Sequence, residues 1–262
     1  MSTIDINCDM GEWESDARED RHHPSPSNAE SDLALMPLIS SCSIACGGHI
    51  GDEHSMRTTV CNAVKHGLRV GAHPAYPDKS HFGRRSLDVP LADLAETLFS
   101  QISLLREITR QESGRLAFVK PHGALYNDMV KNVALADTVI ETIKRIDPGL
   151  PLMGLAGSTL GARCEVNGLP FIAEAFADRR YSDSGELSSR NLPGSVIEDP
   201  QIAADQILSL IKQGTVTTIT GRVIPLMADT LCVHSDTRGA LDHVKAINKL
   251  LQQNNIEVCV TS

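Results

Sequence analysis

Four histidines stand directly after short apolar runs. They occur in Gly47-Gly48-His49, Gly71-Ala72-His73-Pro74, Lys120-Pro121-His122-Gly123 and Cys232-Val233-His234-Ser235-Asp236. Acidic residues close or follow two further runs: Ile4–Asp9, with Asn7 inside it, and Phe171–Phe176, which contains Glu174 and precedes Asp178-Arg179. Imidazole titrates near neutral pH and a neighbouring carboxylate can tune it, so this set suits general acid–base catalysis. It equally suits a divalent metal ion with an activated water, for which Asp9, His49 and His122 are the candidate ligands. Taken singly, each histidine reads just as well as a hydrogen-bonded core residue; the recurrence argues for a site. Lys120 adds a cation in the last turn of an interior strand, where it needs a carboxylate partner or an anionic ligand.

The elements that must bring these residues together alternate between strand and helix. Ile4–Asp9, Cys42–Cys46, Leu68–His73, Leu116–His122, Leu150–Leu155, Phe171–Phe176, Val216–Ile219, Thr230–His234 and Ile256–Val260 read as strands. Helical spacing falls on 28–40, 52–66 (Asp52 as N-cap, Gly67 as stop), 91–112, 133–146, 201–213 (opened by Asp199-Pro200) and 238–253, with a short helix between the strands at 150 and 171. Unbroken alternation predicts a parallel sheet covered by helices. The carboxyl ends of parallel strands converge on one crevice or mouth, so Asp9, His49, His73, His122 and His234 should meet there. In the first strand, apolar Ile4, Ile6 and Cys8 alternate with Asp5, Asn7 and Asp9. That pattern fits an exposed edge strand, or a barrel strand with its polar face in the lumen. Lys120 and His122 share one face, as do Glu174 and Asp178.

Composition excludes several classes. The chain has 262 residues with 24 Lys plus Arg and 33 Asp plus Glu, a formal charge of −9 that repels nucleic acid and anionic lipid. Its 41% hydrophobic and 22% charged residues are ordinary for a globular protein, and the length fits one α/β barrel. No apolar stretch approaches the roughly 20 residues that span a bilayer, and the polar, acidic N-terminus is unlike a signal peptide; a cytoplasmic protein is expected. Seven cysteines read as reduced thiols. Cys42 and Cys46 lie about 13 Å apart along a strand and cannot share one ion. No phosphate loop is present: the Gly154–Gly161 stretch has glycines but no lysine. Residues 14–30 are polar and irregular, a solvated insertion carrying His22 and His23.

Taken together, these motifs resemble the LamB/YcsF family. The resemblance runs through Asp5–Glu12, Ser43–Asp52, Gly71–Asp78, Phe82–Arg85, Val119–Asn127, Gly154–Ser158, Phe176–Arg179 and Cys232–Asp236. It implies a single domain over 1–262, a distorted TIM-like (β/α) barrel of the glycoside hydrolase/deacetylase type. It also implies one subunit of an ATP-dependent 5-oxoprolinase, which opens the lactam of 5-oxoproline to L-glutamate with ATP and two partner subunits. The chain departs from the family pattern at Trp13-Glu14-Ser15-Asp16, at Gly48 and at Ser235. For that reaction Asp9 or His73 is expected to activate water, and Lys120 and His122 to stabilise negative charge developing on oxygen or phosphate. His49 and His234 are expected as proton carriers or metal ligands, and Arg179 as the partner of a substrate carboxylate. Asn7, Glu174, Asp178 and Asp236 complete the expected binding set. Two other readings stay open on the residues: a metal-dependent amidohydrolase or deacetylase without ATP, and a non-catalytic regulatory or scaffold subunit.

Overall fold

The computed structural model describes residues 2–15, 28–235 and 239–260. In chain order the strands are β1 (Ser2–Met10), β2 (Ser41–Ala45), β3 (Arg69–His73), β4 (Leu116–Val119), β5 (Leu152–Leu155), β6 (Phe171–Phe176), β7 (Thr215–Thr217), β8 (Val223–Pro225), β9 (Thr230–Val233) and β10 (Ile256–Val258). β1 is buried on both faces from Ile4 to Met10, and it is hydrogen-bonded along both edges. Asn7–Met10 pair with β2, and Asp5–Cys8 pair with β9. The β1–β9 pairing closes seven parallel strands, in the order β1-β2-β3-β4-β5-β6-β9, into a barrel. This is the expected TIM-like architecture with one strand fewer, and it settles the β1 alternation in favour of a barrel strand. β10 adds alongside Ser2–Ile4.

The helices are α1 (Ala29–Leu35), α2 (Glu53–Lys65), α3 (Leu91–Gln111), α4 (Gly123–Lys131), α5 (Val133–Ile146), α6 (Leu160–Val166), α7 (Pro200–Gln213) and α8 (Ala240–Gln253). Apolar residues three and four apart turn inward: Leu98, Ile102 and Leu105 on α3, Val139, Ile140 and Ile143 on α5, Val244, Ile247 and Leu251 on α8. They form one core with the outer face of the strands, including Ile4, Ile6, Cys8, Ile44 and Val70. Asp52 and Asn28 close capping boxes at α2 and α1, and Asp199 caps α7 ahead of Pro200. Among the described residues, no helix is long and apolar enough to cross a membrane.

The lumen is polar, and near its base its side chains bond one another. Asp5 accepts hydrogen bonds from Ser40 (2.7 Å) and Ser41 (2.6 Å) and pairs with Arg69 at 3.0 Å. The Arg69 guanidinium lies 5.2 Å from the Phe118 ring centre, and Asn7 donates to Thr230 at 2.9 Å.

Four elements differ from the sequence reading. The helix expected over 28–40 is α1 followed by a 3-10 turn at Met36–Leu38, because Pro37 has no N–H to continue it. The strand expected to reach His122 ends at Val119, although Lys120 N and His122 N still donate to Ala72 and Pro74 carbonyls at 2.8 Å. The short helix α4 follows at once and had no expectation. Val216–Ile219 is not a barrel strand: Val216 and Thr217 belong to β7, which forms an antiparallel hairpin with β8 outside the barrel. Most of the 14–30 insertion, with His22 and His23, lies outside the described residues. At its start Ser15 donates to Asp52 twice, at 2.8 Å and 2.7 Å.

Gly71 of β3 faces Phe118 of β4, and a Cβ there would sit 2.1 Å from the Phe118 ring. Gly71→Ala is expected to cost about 1–3 kcal/mol in chemical denaturation, and adding Phe118→Leu is expected to restore part of it. An additive double variant would show that the two positions do not collide.

Candidate active site

Above that base, the Lys120 ammonium is held inside the barrel at 2% exposure. It lies 2.9 Å from Asp9 Oδ1 and 2.7 Å from Glu174 Oε1. Asn7 Oδ1 and Cys232 Sγ lie 3.1 Å and 3.2 Å from it. Four strand ends, those of β1, β4, β6 and β9, thus meet on one nitrogen. Burial by itself would lower the lysine pKa, but the charges of Asp9 and Glu174 and the Cys232 sulfur hold it well above its ordinary value. Burial likewise opposes ionisation of Asp9, yet His73, Lys120 and His234 keep its carboxyl below the usual carboxylate range. The Cys232 thiol is pushed up by burial and stays protonated.

Three imidazoles pack over this ion group. His49 and His122 stack with centres 3.6 Å apart and planes 5° from parallel, and His73 meets His122 edge-on at 4.8 Å. His73 Nδ1 lies 2.7 Å from the Lys120 carbonyl and His122 Nε2 lies 2.9 Å from the Phe82 carbonyl. Carbonyl oxygens only accept, so each of these nitrogens carries the ring proton. His122 Nδ1 and His73 Nε2 face each other at 3.0 Å. Glu12 Oε1 accepts from His49 Nε2 at 3.1 Å and lies 3.6 Å from His122 Nδ1, while Asp9 Oδ2 lies 3.5 Å from His73 Nε2. Burial drives the pKa of His73 down to about 4, and lowers those of His49 and His122 well below their usual value.

Local backbone presents these groups. Asp32 of α1 accepts from Gly11 N (2.8 Å) and Trp13 Nε1 (3.2 Å), fixing the turn that carries Glu12. Phe82 (φ 54°) and Gly83 (φ 60°) are left-handed, which delivers the Phe82 carbonyl to His122; a Cβ at Gly83 would lie 2.8 Å from His49 Cβ. At Gly48 the side-chain space is filled by Gln101, which exchanges hydrogen bonds with Ala75.

A cavity of about 460 Å³, within the usual range for small-molecule sites, opens onto Asp9, Glu12, His73, Lys120, His122 and His234. Arg84, Lys131, Arg179 and Arg190 also line it. His234 Nδ1 donates to both oxygens of buried Asp178, at 2.9 Å and 3.1 Å, and its ring stacks on Phe176. Arg179 donates to the Ser188 carbonyl through one terminal nitrogen, and its buried Nε has no hydrogen-bond partner among the described residues. Burial lowers the Arg179 pKa to about 10, so it remains a cation.

Asp9, His73, Lys120, His122, Arg179 and His234 therefore line the same cavity, with Asn7, Glu174 and Asp178 bonded directly behind them. His49 is packed behind His122 and Glu12. Asp236 lies outside the described residues. Of the metal candidates Asp9, His49 and His122, the latter two fall in one group with Glu12 and His73, whose ligand atoms lie within 4.8 Å of one another. Asp9 falls instead with Cys232 and His234. Sequence reasoning missed Glu12 and Cys232. Cys232 shares strand parity with Thr230 and His234, a signal that was available; Glu12 lies beyond the end of β1 in a turn that no periodicity describes.

The LamB/YcsF family model matches residues 4–262. A protein from Acinetobacter baumannii, named as the A subunit of 5-oxoprolinase, is 40% identical over 259 residues, covering 97% of this chain and 96% of the relative. One of the same name from Limosilactobacillus fermentum is 40% identical, covering 98% and 99%. The crystal structure of a lactam utilization protein from Thermus thermophilus matches with a TM-score of 0.88 and 34% identity, covering 99% of this chain and 100% of that one.

The buried imidazoles set a direction for stability against pH. Unfolded histidines take up protons below about 6.5, whereas native His73 does so only near 4. The unfolded state thus binds more protons in that window, and stability falls as pH drops from about 6.5 to about 4. Denaturation of ion-free protein across this range should show that fall, and His73→Gln should flatten the slope by up to about 1.4 kcal/mol per pH unit. An unchanged slope would mean that His73 is charged in the native protein.

Proposed function

This chain belongs to the LamB/YcsF family, and on that premise we propose that it opens the lactam of 5-oxoproline to L-glutamate as one subunit of an ATP-dependent 5-oxoprolinase. The relatives named for 5-oxoprolinase and the lactam utilization protein support the reading over nearly the whole chain. The observation that carries it is one cavity holding a buried ammonium, bare imidazole nitrogens and a carboxylate-oriented histidine.

Hydrolysis of the ring adds hydroxyl to the carbonyl carbon and a proton to the ring nitrogen as the C–N bond breaks. An amide is a poor electrophile, so charge developing on its oxygen needs fixed positive groups. Lys120 on the cavity floor has its donors taken up by Asp9, Glu174 and Asn7, so that charge falls to the guanidinium groups that line the cavity. His73 Nε2 and His122 Nδ1 face each other at 3.0 Å, too close for a water between them, and border the space that the attacking water enters. His234 is oriented through Nδ1 by Asp178, which leaves Nε2 to take the water's proton and pass it to the ring nitrogen. Asp9 keeps Lys120 in place; its strongly ionised carboxylate is a weak base, so it is a positioning residue rather than the base. Arg179, with its spare Nε donor, takes the substrate carboxylate.

ATP supplies the free energy for opening an unactivated lactam. The cavity's Arg84, Arg179 and Arg190 fit an anionic group. The turn at Gly154–Gly161, by contrast, opens only the seven-residue α6 and has no lysine. We therefore assign the nucleotide to the assembly with two partner subunits.

The test is ATP-dependent glutamate release from 5-oxoproline by the chain combined with its partner subunits. His234→Gln and Asp178→Asn should each lower kcat by about 100-fold or more. Arg179→Ala should raise KM more than it lowers kcat. No glutamate from the wild-type assembly would overturn the reading; near-normal kcat in His234→Gln would remove that residue from the proton path.

A further inference from the structure

We propose that His73 Nε2, His122 Nδ1 and the Glu12 carboxylate form a binding site for one divalent first-row transition-metal ion at the cavity floor. The inference stands on ring geometry and not on the lactam reading. The protons of both rings are committed to the backbone: His73 Nδ1–H to the Lys120 carbonyl and His122 Nε2–H to the Phe82 carbonyl. The remaining nitrogens are therefore two lone pairs facing each other across 3.0 Å, on two nearly buried side chains at the cavity floor. Two acceptors cannot bond each other, so something positive belongs between them.

A single shared proton would lie on one nitrogen–nitrogen axis. The electron-rich ring is wider than that, because Glu12 Oε1 stands 3.6 Å from His122 Nδ1 and Asp9 Oδ2 stands 3.5 Å from His73 Nε2. Lys120 does not already neutralise the region, since it is committed to Asp9 and Glu174 at 2.9 Å and 2.7 Å. Two nitrogens bound to one ion at about 2.1 Å are separated by about 3.0–3.4 Å, the spacing seen here. The outer arrangement is also that of a metal site: ligating histidines give their other N–H to backbone carbonyls, and the ligating carboxylate is itself hydrogen-bonded. His49 fills the latter role, donating to Glu12 Oε1 at 3.1 Å while stacked on His122. His49 is thus a positioning residue, which departs from the sequence expectation of Asp9, His49 and His122 as ligands. Two imidazoles with one carboxylate favour Zn²⁺, Mn²⁺, Co²⁺ or Fe²⁺ over Mg²⁺ or Ca²⁺.

The full-length protein, treated with chelator and dialysed, is titrated with Zn²⁺, Mn²⁺ and Co²⁺ by calorimetry. One ion per chain is expected. Affinity should fall at least about 10-fold in His73→Gln and in His122→Gln, and should not change in His66→Gln on the exposed end of α2. Histidine ¹⁵N spectra of the wild-type protein keep the test independent of variant folding. On Zn²⁺ addition, one ring should bind through Nε2 and another through Nδ1. No binding of any of the three ions, or equal binding in both cavity variants, would overturn the site. So would histidine spectra that Zn²⁺ leaves unchanged.

Discussion

The ammonium of Lys120 is the constraint around which the barrel interior is organised. A lysine inside a protein is tolerated only when its charge is matched and its donors are used. Here Asp9 and Glu174 match the charge, and Asn7 and Cys232 complete the surroundings. Those residues come from β1, β6 and β9, and the lysine follows β4, so one ion group ties opposite sides of the barrel together. Removing the lysine would leave the two buried carboxylates without their cation, a loss of about 3–5 kcal/mol. The same group sets the electrostatics above it: it fixes Asp9 as a carboxylate and places the Lys120 carbonyl where His73 donates to it.

The lumen is graded along the barrel axis. Near the base, Asp5, Arg69, Ser40, Ser41 and Thr230 satisfy one another and present no reactive group. The ionic layer follows, then the imidazoles, then the arginines of the mouth. Chemistry is confined to the upper layers because only there do the residues leave strand geometry. The turn at Gly11–Trp13 is pinned by Asp32, and the left-handed Phe82-Gly83 pair aims a carbonyl at His122. These turns, more than the strands, decide which nitrogen of each ring is bare.

That dependence explains what was readable beforehand. Strand ends marked by histidine and carboxylate are visible because period-2 apolar runs stop at them, and parallel strands send all such ends to one mouth. The polar residues of β1 were equally readable as lumen-facing once a barrel was allowed. Glu12 was not, since its role is created by Asp32, a residue twenty positions later with no local signature. The hairpin of β7 and β8 was misplaced for a related reason. A short apolar run such as Val216–Ile219 carries no mark of whether its neighbour is a barrel strand or the next turn of chain.

The order of strands and helices, and the gathering of Asp9, His73, Lys120, His122 and His234 at one end, follow from the sequence alone, because hydrophobic periodicity and the parallel βα connection are local properties. The assignment of tasks within that gathering is tertiary. Whether Asp9 serves as a base or as the anchor of Lys120 depends on a 2.9 Å contact between residues 111 positions apart. Which imidazole nitrogens are left without protons depends on two backbone carbonyls, those of Lys120 and Phe82, and no spacing in the chain encodes where a carbonyl will point.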